Sequence, residues 1–104
     1  MQFVIHAEHA PELCPTSNAK IRNIMKQAVK GLPDLARKLG VKIITTNVYG
    51  PDHVVLMVVE AADIEAVRNL VWESGMIQWN TTRIHATMSL EDALAKADTL
   101  PAIF

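Results

Sequence analysis

Residues 54–59 read Val54-Val55-Leu56-Met57-Val58-Val59, an unbroken apolar run bounded by His53 and Glu60. Side chains alternate between the two sides of a strand, so a strand of this composition has no polar face and calls for cover on both. Gly50-Pro51-Asp52 just upstream is a turn signal, and Val41 to Tyr49 before it is rich in β-branched residues. Two strands joined by so short a link form an antiparallel hairpin.

The remaining elements flank this hairpin. Gln2 to Ala7 reads as a first strand, with the breaker Pro11 beyond it. Thr16, Ser17 and Asn18 then offer N-cap side chains for a helix. Its apolar positions, from Ile21 through Ala28 and Leu32 to Leu39, fall within an arc of about 140° that excludes every Lys and Arg of the segment. Gly31 and Pro33 predict a kink or split in it, and Gly40 a left-handed end. After the hairpin, Asp63 caps a second helix that buries Ile64, Val67, Leu70 and Val71 and ends at Gly75. Gln78 to Thr87 is a fourth, more polar strand. Ser89-Leu90-Glu91-Asp92 opens a third helix expected to bury Leu90, Ala93, Leu94 and Ala97.

The order βαββαβ followed by α predicts an α+β, ferredoxin-like fold spanning residues 1–104 as one domain. Its four-stranded antiparallel sheet would carry two helices on one face. Two helices leave the other face bare, although the third strand is apolar on both sides. A second copy of the chain is the expected cover, which predicts a homodimer or higher homo-oligomer. Exposed Trp72, off the apolar arc of its own helix, and the apolar tail Leu100-Pro101-Ala102-Ile103-Phe104 fit an interface. The third strand is expected to run parallel to the first, placing His53 at the opposite end of the sheet from His6.

Composition excludes several classes. Half of the 104 residues are hydrophobic, a fifth are charged, and there is no low-complexity run, which argues against disorder. A net charge of −1 argues against general nucleic-acid binding. Lys20, Arg22, Lys26, Lys30, Arg37 and Lys38 share the polar side of the first helix, but Asp34 interrupts them, as on an ordinary solvated face. No run approaches the roughly 18 apolar residues that cross a bilayer. The N-terminus lacks the basic leader of a secretion signal. A single cysteine forms no internal disulfide, so a cytoplasmic location is expected.

Chemistry concentrates near the start, where His6, His9 and Cys14 lie within nine residues. Cys14 precedes a helix N-terminus, whose dipole favours the thiolate. His6 and His9 are candidate bases or co-ligands, and the three together are a candidate metal set for zinc, iron or copper that needs a further donor. Equally, a lone cysteine is often a small buried apolar group. On the fourth strand Thr81, Arg83, His85 and Thr87 share one face: a polar wall for an anionic or carbonyl-bearing ligand, or a solvent-facing edge. His6, Cys14 and His85 are thus the candidate catalytic residues, with Arg83, Asn47 and Tyr49 as candidate binding residues. His53 is expected to satisfy turn backbone, and Met25, Met57, Met76 and Met88 to fill the core. No phosphate-cradling glycine loop or serine-nucleophile elbow is present, and the sequence leaves the cofactor unidentified.

The pieces Pro11-Glu12-Leu13-Cys14-Pro15, Gly40-Val41-Lys42, Pro51-Asp52-His53, Val58-Val59-Glu60-Ala61 and Ser89-Leu90-Glu91-Asp92-Ala93-Leu94 resemble the dimeric alpha-beta barrel superfamily. Within it the chain is most similar to small bacterial and archaeal members. That resemblance implies two sheets facing each other around a shared barrel, and it leaves function open, because the superfamily includes oxygenases, isomerases and ligand-sensing domains. Three functions are in view: a small-molecule-binding homodimer with cofactor-independent or metal-assisted chemistry, a metal-binding protein, and a non-enzymatic ligand-sensing or oligomerisation module.

Overall fold

In the computed structural model, which describes residues 1–104, four strands form one sheet in the order β2-β3-β1-β4. They are β1 (Gln2–Glu8), β2 (Lys42–Tyr49), β3 (Val54–Glu60) and β4 (Thr81–Ala86). All three neighbouring pairs are antiparallel. Helices α1 (Ala19–Leu39) and α2 (Ile64–Glu73) connect them, and α3 (Leu90–Ala97) follows β4. This α+β sheet with its order of elements is compatible with a ferredoxin-like fold.

The helix boundaries follow from their caps. Asn18 Oδ1 accepts from the Ile21 amide at 3.0 Å, and Asp63 Oδ1 from that of Ala66 at 3.0 Å. Each satisfies an amide that has no partner inside its helix. Gly40 ends α1 with φ of 73°, a conformation that costs any residue with a Cβ. Contrary to expectation, α1 is not split at Pro33 but runs unbroken from Ala19 to Leu39. The carbonyl that the proline leaves without its helical amide is that of Val29, a residue 57 % exposed.

The core lies between the sheet and the helices. Phe3 and Ile5 of β1 and Met57 and Val59 of β3 meet Ala36 of α1 and Val67, Leu70 and Val71 of α2. On β1 the odd residues from Phe3 to Ala7 are buried, while Val4 and His6 between them are only half-buried. Paired residues share a face, so the register places Val4, His6, Leu56, Val58, Arg83 and His85 together on the side away from the helices. A bulge at Ile44 shifts the alternation of β2 and brings Thr45, Asn47 and Tyr49 onto that same side.

Further expectations differ from the structure. β3 runs antiparallel to β1, with Glu8 opposite Val54, so His53 sits at the same end of the sheet as His9. A crossover makes β2 parallel to β1, and the hairpin then reverses β3. β4 begins at Thr81 rather than Gln78, because Met76–Gln78 forms a 3-10 turn. Finally, α3 buries no residue: Leu90 and Leu94 are 71 % and 59 % exposed, and Met88 is no core filler at 56 %. The Thr87 amide donates to the Gln2 carbonyl at 3.0 Å, and beyond that bond the chain leaves the sheet. The radius of gyration is 16.3 Å, against about 13 Å for a compact chain of this length.

Leu70, with no exposed surface, tests the core. Leu70→Ala should lower the unfolding free energy by about 2–5 kcal/mol. The check is a lower denaturation midpoint in urea at an unchanged slope.

Candidate metal centre

His9 follows β1 by one residue and keeps the parity of Phe3, Ile5 and Ala7, so it lies on the helix side of the sheet. Its amide donates to the His53 carbonyl at 3.1 Å, extending the β1–β3 pairing by one rung. His53 has a left-handed backbone, φ 57°, after the 3-10 turn Gly50–Asp52. The expected turn role is real, since its amide donates to the Gly50 carbonyl. The same turn also swings its imidazole to the end of the sheet, with the two rings edge-to-face at 5.5 Å.

Cys14 comes from the loop before α1, and that loop is tied down by its own side chains. Ser17 Oγ donates to the Pro11 carbonyl at 2.9 Å and Asn18 Nδ2 to that of Glu12 at 3.1 Å. Arg22 reaches back from α1, with Nε to the Pro15 carbonyl at 2.7 Å and Nη2 to the Thr16 carbonyl at 3.1 Å. Cys14 is thereby held with 5 % exposure against the histidines. Its Sγ and one ring nitrogen each of His9 and His53 all lie within 4.8 Å of one another.

The protonation pattern follows from the partners. His9 Nδ1 lies 3.2 Å from Asn80 Oδ1, an oxygen that only accepts, so Nδ1 carries the proton. Asn80 is oriented by its own Nδ2 donating to the Met76 carbonyl at 3.0 Å. In the neutral ring Nε2 is then the nitrogen left to coordinate, and in the protonated ring it carries a second N–H towards Cys14. His9 Nε2 and His53 Nδ1 are both buried without a hydrogen-bond partner, an uncommon and costly condition. The Trp79 ring covers His9 at 5.3 Å.

The thiol is acidified chiefly by Thr16, whose hydroxyl donates to Sγ at 3.0 Å and whose backbone adds to it. The nearby imidazoles of His9 and His53 act in the same direction and burial opposes them, leaving the Cys14 pKa lowered to about 6. Cys14 is therefore largely thiolate at neutral pH. Its acidity arises from these local contacts, whereas the sequence pointed to the helix dipole, which fades within a turn.

Of the residues singled out from sequence, His9 and Cys14 converge here and His6 does not. Positions three apart on a strand face opposite sides, so His6 lies across the sheet, laterally paired with Leu56 and Arg83. Arg83, His85, Asn47 and Tyr49 share that far side with His6, and all four are exposed. The third member of the cluster, His53, and the positioning residues Asn80 and Thr16 were not anticipated. An antiparallel β1–β3 pairing, which follows from crossover plus hairpin, would have placed His53 opposite His9.

Thr16→Val removes the donor to Sγ. Thiolate ultraviolet absorbance should titrate with a midpoint near 6 in the wild type, and the midpoint should rise towards the ordinary thiol range in the variant. With its folded-state pKa depressed, Cys14 contributes stability above its unfolded pKa and loses it as pH falls through about 6.

No family model matches the chain, and no curated protein matches it.

Proposed function

We propose that the chain is a metal-binding protein whose centre is formed by His9, Cys14 and His53. The observation that carries this reading is the pair of buried imidazole nitrogens, His9 Nε2 and His53 Nδ1, without partners beside an acidified thiol. A thiolate with two neutral imidazoles is a donor set for zinc or copper. Donors on one tetrahedral centre stand about 3.3–3.6 Å apart by ordinary bond lengths, so loading requires the three to draw together modestly. Asn80 plays the supporting part, fixing the His9 tautomer that presents Nε2. Three protein ligands leave a fourth position open, as at sites where a metal meets an exchangeable ligand. A lone free thiol serving as a ligand accords with a reducing, cytoplasmic setting.

Elemental analysis of untagged protein purified under reducing conditions should find metal near one equivalent. Cys14→Ser and His53→Ala should reduce it towards zero, whereas His6→Ala should not. Asn80→Ala should weaken affinity by roughly 10- to 100-fold. Metal-free wild type after zinc and copper(I) reconstitution overturns the reading.

A second reading concerns the far side of the sheet. We infer that two copies associate there as a dimeric alpha-beta barrel enclosing a small-molecule site, with His6, Asn47, Tyr49, Arg83 and His85 as its polar groups. Half-buried Val4, Leu56 and Val58 support it as an apolar centre for the contact. So does α3, because an isolated eight-residue helix is unstable in water and only Ala93 of this one is half-buried in its own chain. Light scattering at micromolar concentration should give a dimer, and deletion of residues 89–104 should give a monomer. A monomeric full-length chain excludes this assembly.

A further inference from the structure

A cavity of about 80 Å³ lies between the first half of α1 and the helix side of the sheet. Nine of its 12 lining residues are hydrophobic and none is charged. Ala28 of α1 faces Val55 and Met57 of the sheet across it, and Met76, Trp79 and Asn80 close one side. Two of these walls belong equally to the metal centre: Trp79 covers His9, and Asn80 holds its Nδ1.

The sheet makes the two spaces adjacent. Ala7 and Val55, both lining the cavity, are a directly paired rung. His9 and His53 are the next rung on the same face, joined by the His9 amide. Successive same-face positions on a strand stand about 6.6–6.8 Å apart, roughly the length of a four-atom chain with its contact radii. The cavity has the liquid volume of roughly three waters, and its walls offer an entering group apolar contact rather than hydrogen bonds.

We propose that the cavity receives the alkyl end of a short aliphatic ligand whose terminal soft donor occupies the open position of a metal held by His9, Cys14 and His53. This inference rests on the metal-centre reading and names the ligand class for that centre: small, uncharged, apolar at one end and a thiol-type donor at the other. An alkyl chain of about three carbons matches the enclosed volume of about 80 Å³. A polar tail is disfavoured because the burial of an unpaired hydroxyl is costly.

The test uses the full chain loaded with cobalt(II), whose thiolate charge-transfer and ligand-field bands report both loading and exogenous ligand. Propane-1-thiol and 2-mercaptoethanol carry the same donor and differ at the tail, methyl against hydroxyl. Propane-1-thiol should bind at least roughly tenfold more tightly. Ala28→Leu, which fills the cavity, should abolish that preference while cobalt loading is unchanged. Met76→Ala, which enlarges it, should move the preference to pentane-1-thiol. Normal loading with equal affinity for the two short thiols, or a preference untouched by both variants, overturns the cavity assignment and leaves the metal centre standing. Failure of the wild type to take up cobalt overturns the metal centre and this inference with it.

Discussion

The antiparallel seam between β1 and β3 is the constraint on which the rest of the molecule depends. It aligns Ile5 with Met57 and Phe3 with Val59, the side chains at the centre of the core. The same register, continued one residue past the strand, brings the His9 amide to the His53 carbonyl. One hydrogen-bonded ladder therefore fixes both the hydrophobic interior and the meeting of the two histidines. A one-residue slip would turn every side chain to the opposite side. His53 also needs the left-handed turn conformation that ends the hairpin link, so its placement is a joint product of turn and seam.

Alternation along the strands divides the chemistry between two sides. Towards the helices lie the buried cluster and the cavity, where low exposure strengthens each polar contact. Away from them lie His6, Asn47, Tyr49, Arg83 and His85 on a broad surface with a half-buried aliphatic centre. The bulge at Ile44 sharpens this division, because without it Thr45, Asn47 and Tyr49 would point towards α1. The polar residues away from the helices are thus a set produced by register, and no bond in the chain links them to Cys14.

Local patterns in the sequence were good guides to elements. The caps at Asn18, Asp63 and Ser89, the glycine ends at Gly40 and Gly75, and the apolar run of β3 each correspond to a real feature. Pairwise geometry follows from strand parity alone. Three-residue spacing already separates His6 from His9, and hairpin reversal already brings His53 beside His9, so both were available. Asn80 and Thr16 were not, because their roles depend on a 3-10 turn and on a loop folded by Arg22, which leave no periodic signal. The projection of α3 was equally hidden. Its amphipathic pattern states that a face must be covered and says nothing about whose surface covers it.

The cluster is drawn from segments far apart in the chain. His9 and Cys14 are near neighbours, but His53 reaches them across the whole of α1 and β2, and Asn80 across α2 as well. In the unfolded chain their encounter is opposed by loop-closure entropy, so the donors converge only when the sheet is closed. Closure of the hairpin tip at Gly50–Asp52 is therefore a condition for the three donors to meet. Fraying there would disperse the donors while the distant core stayed folded, and a group bound by all three would hold the tip shut. Occupancy of the site and opening of this one end of the sheet are two sides of a single local equilibrium.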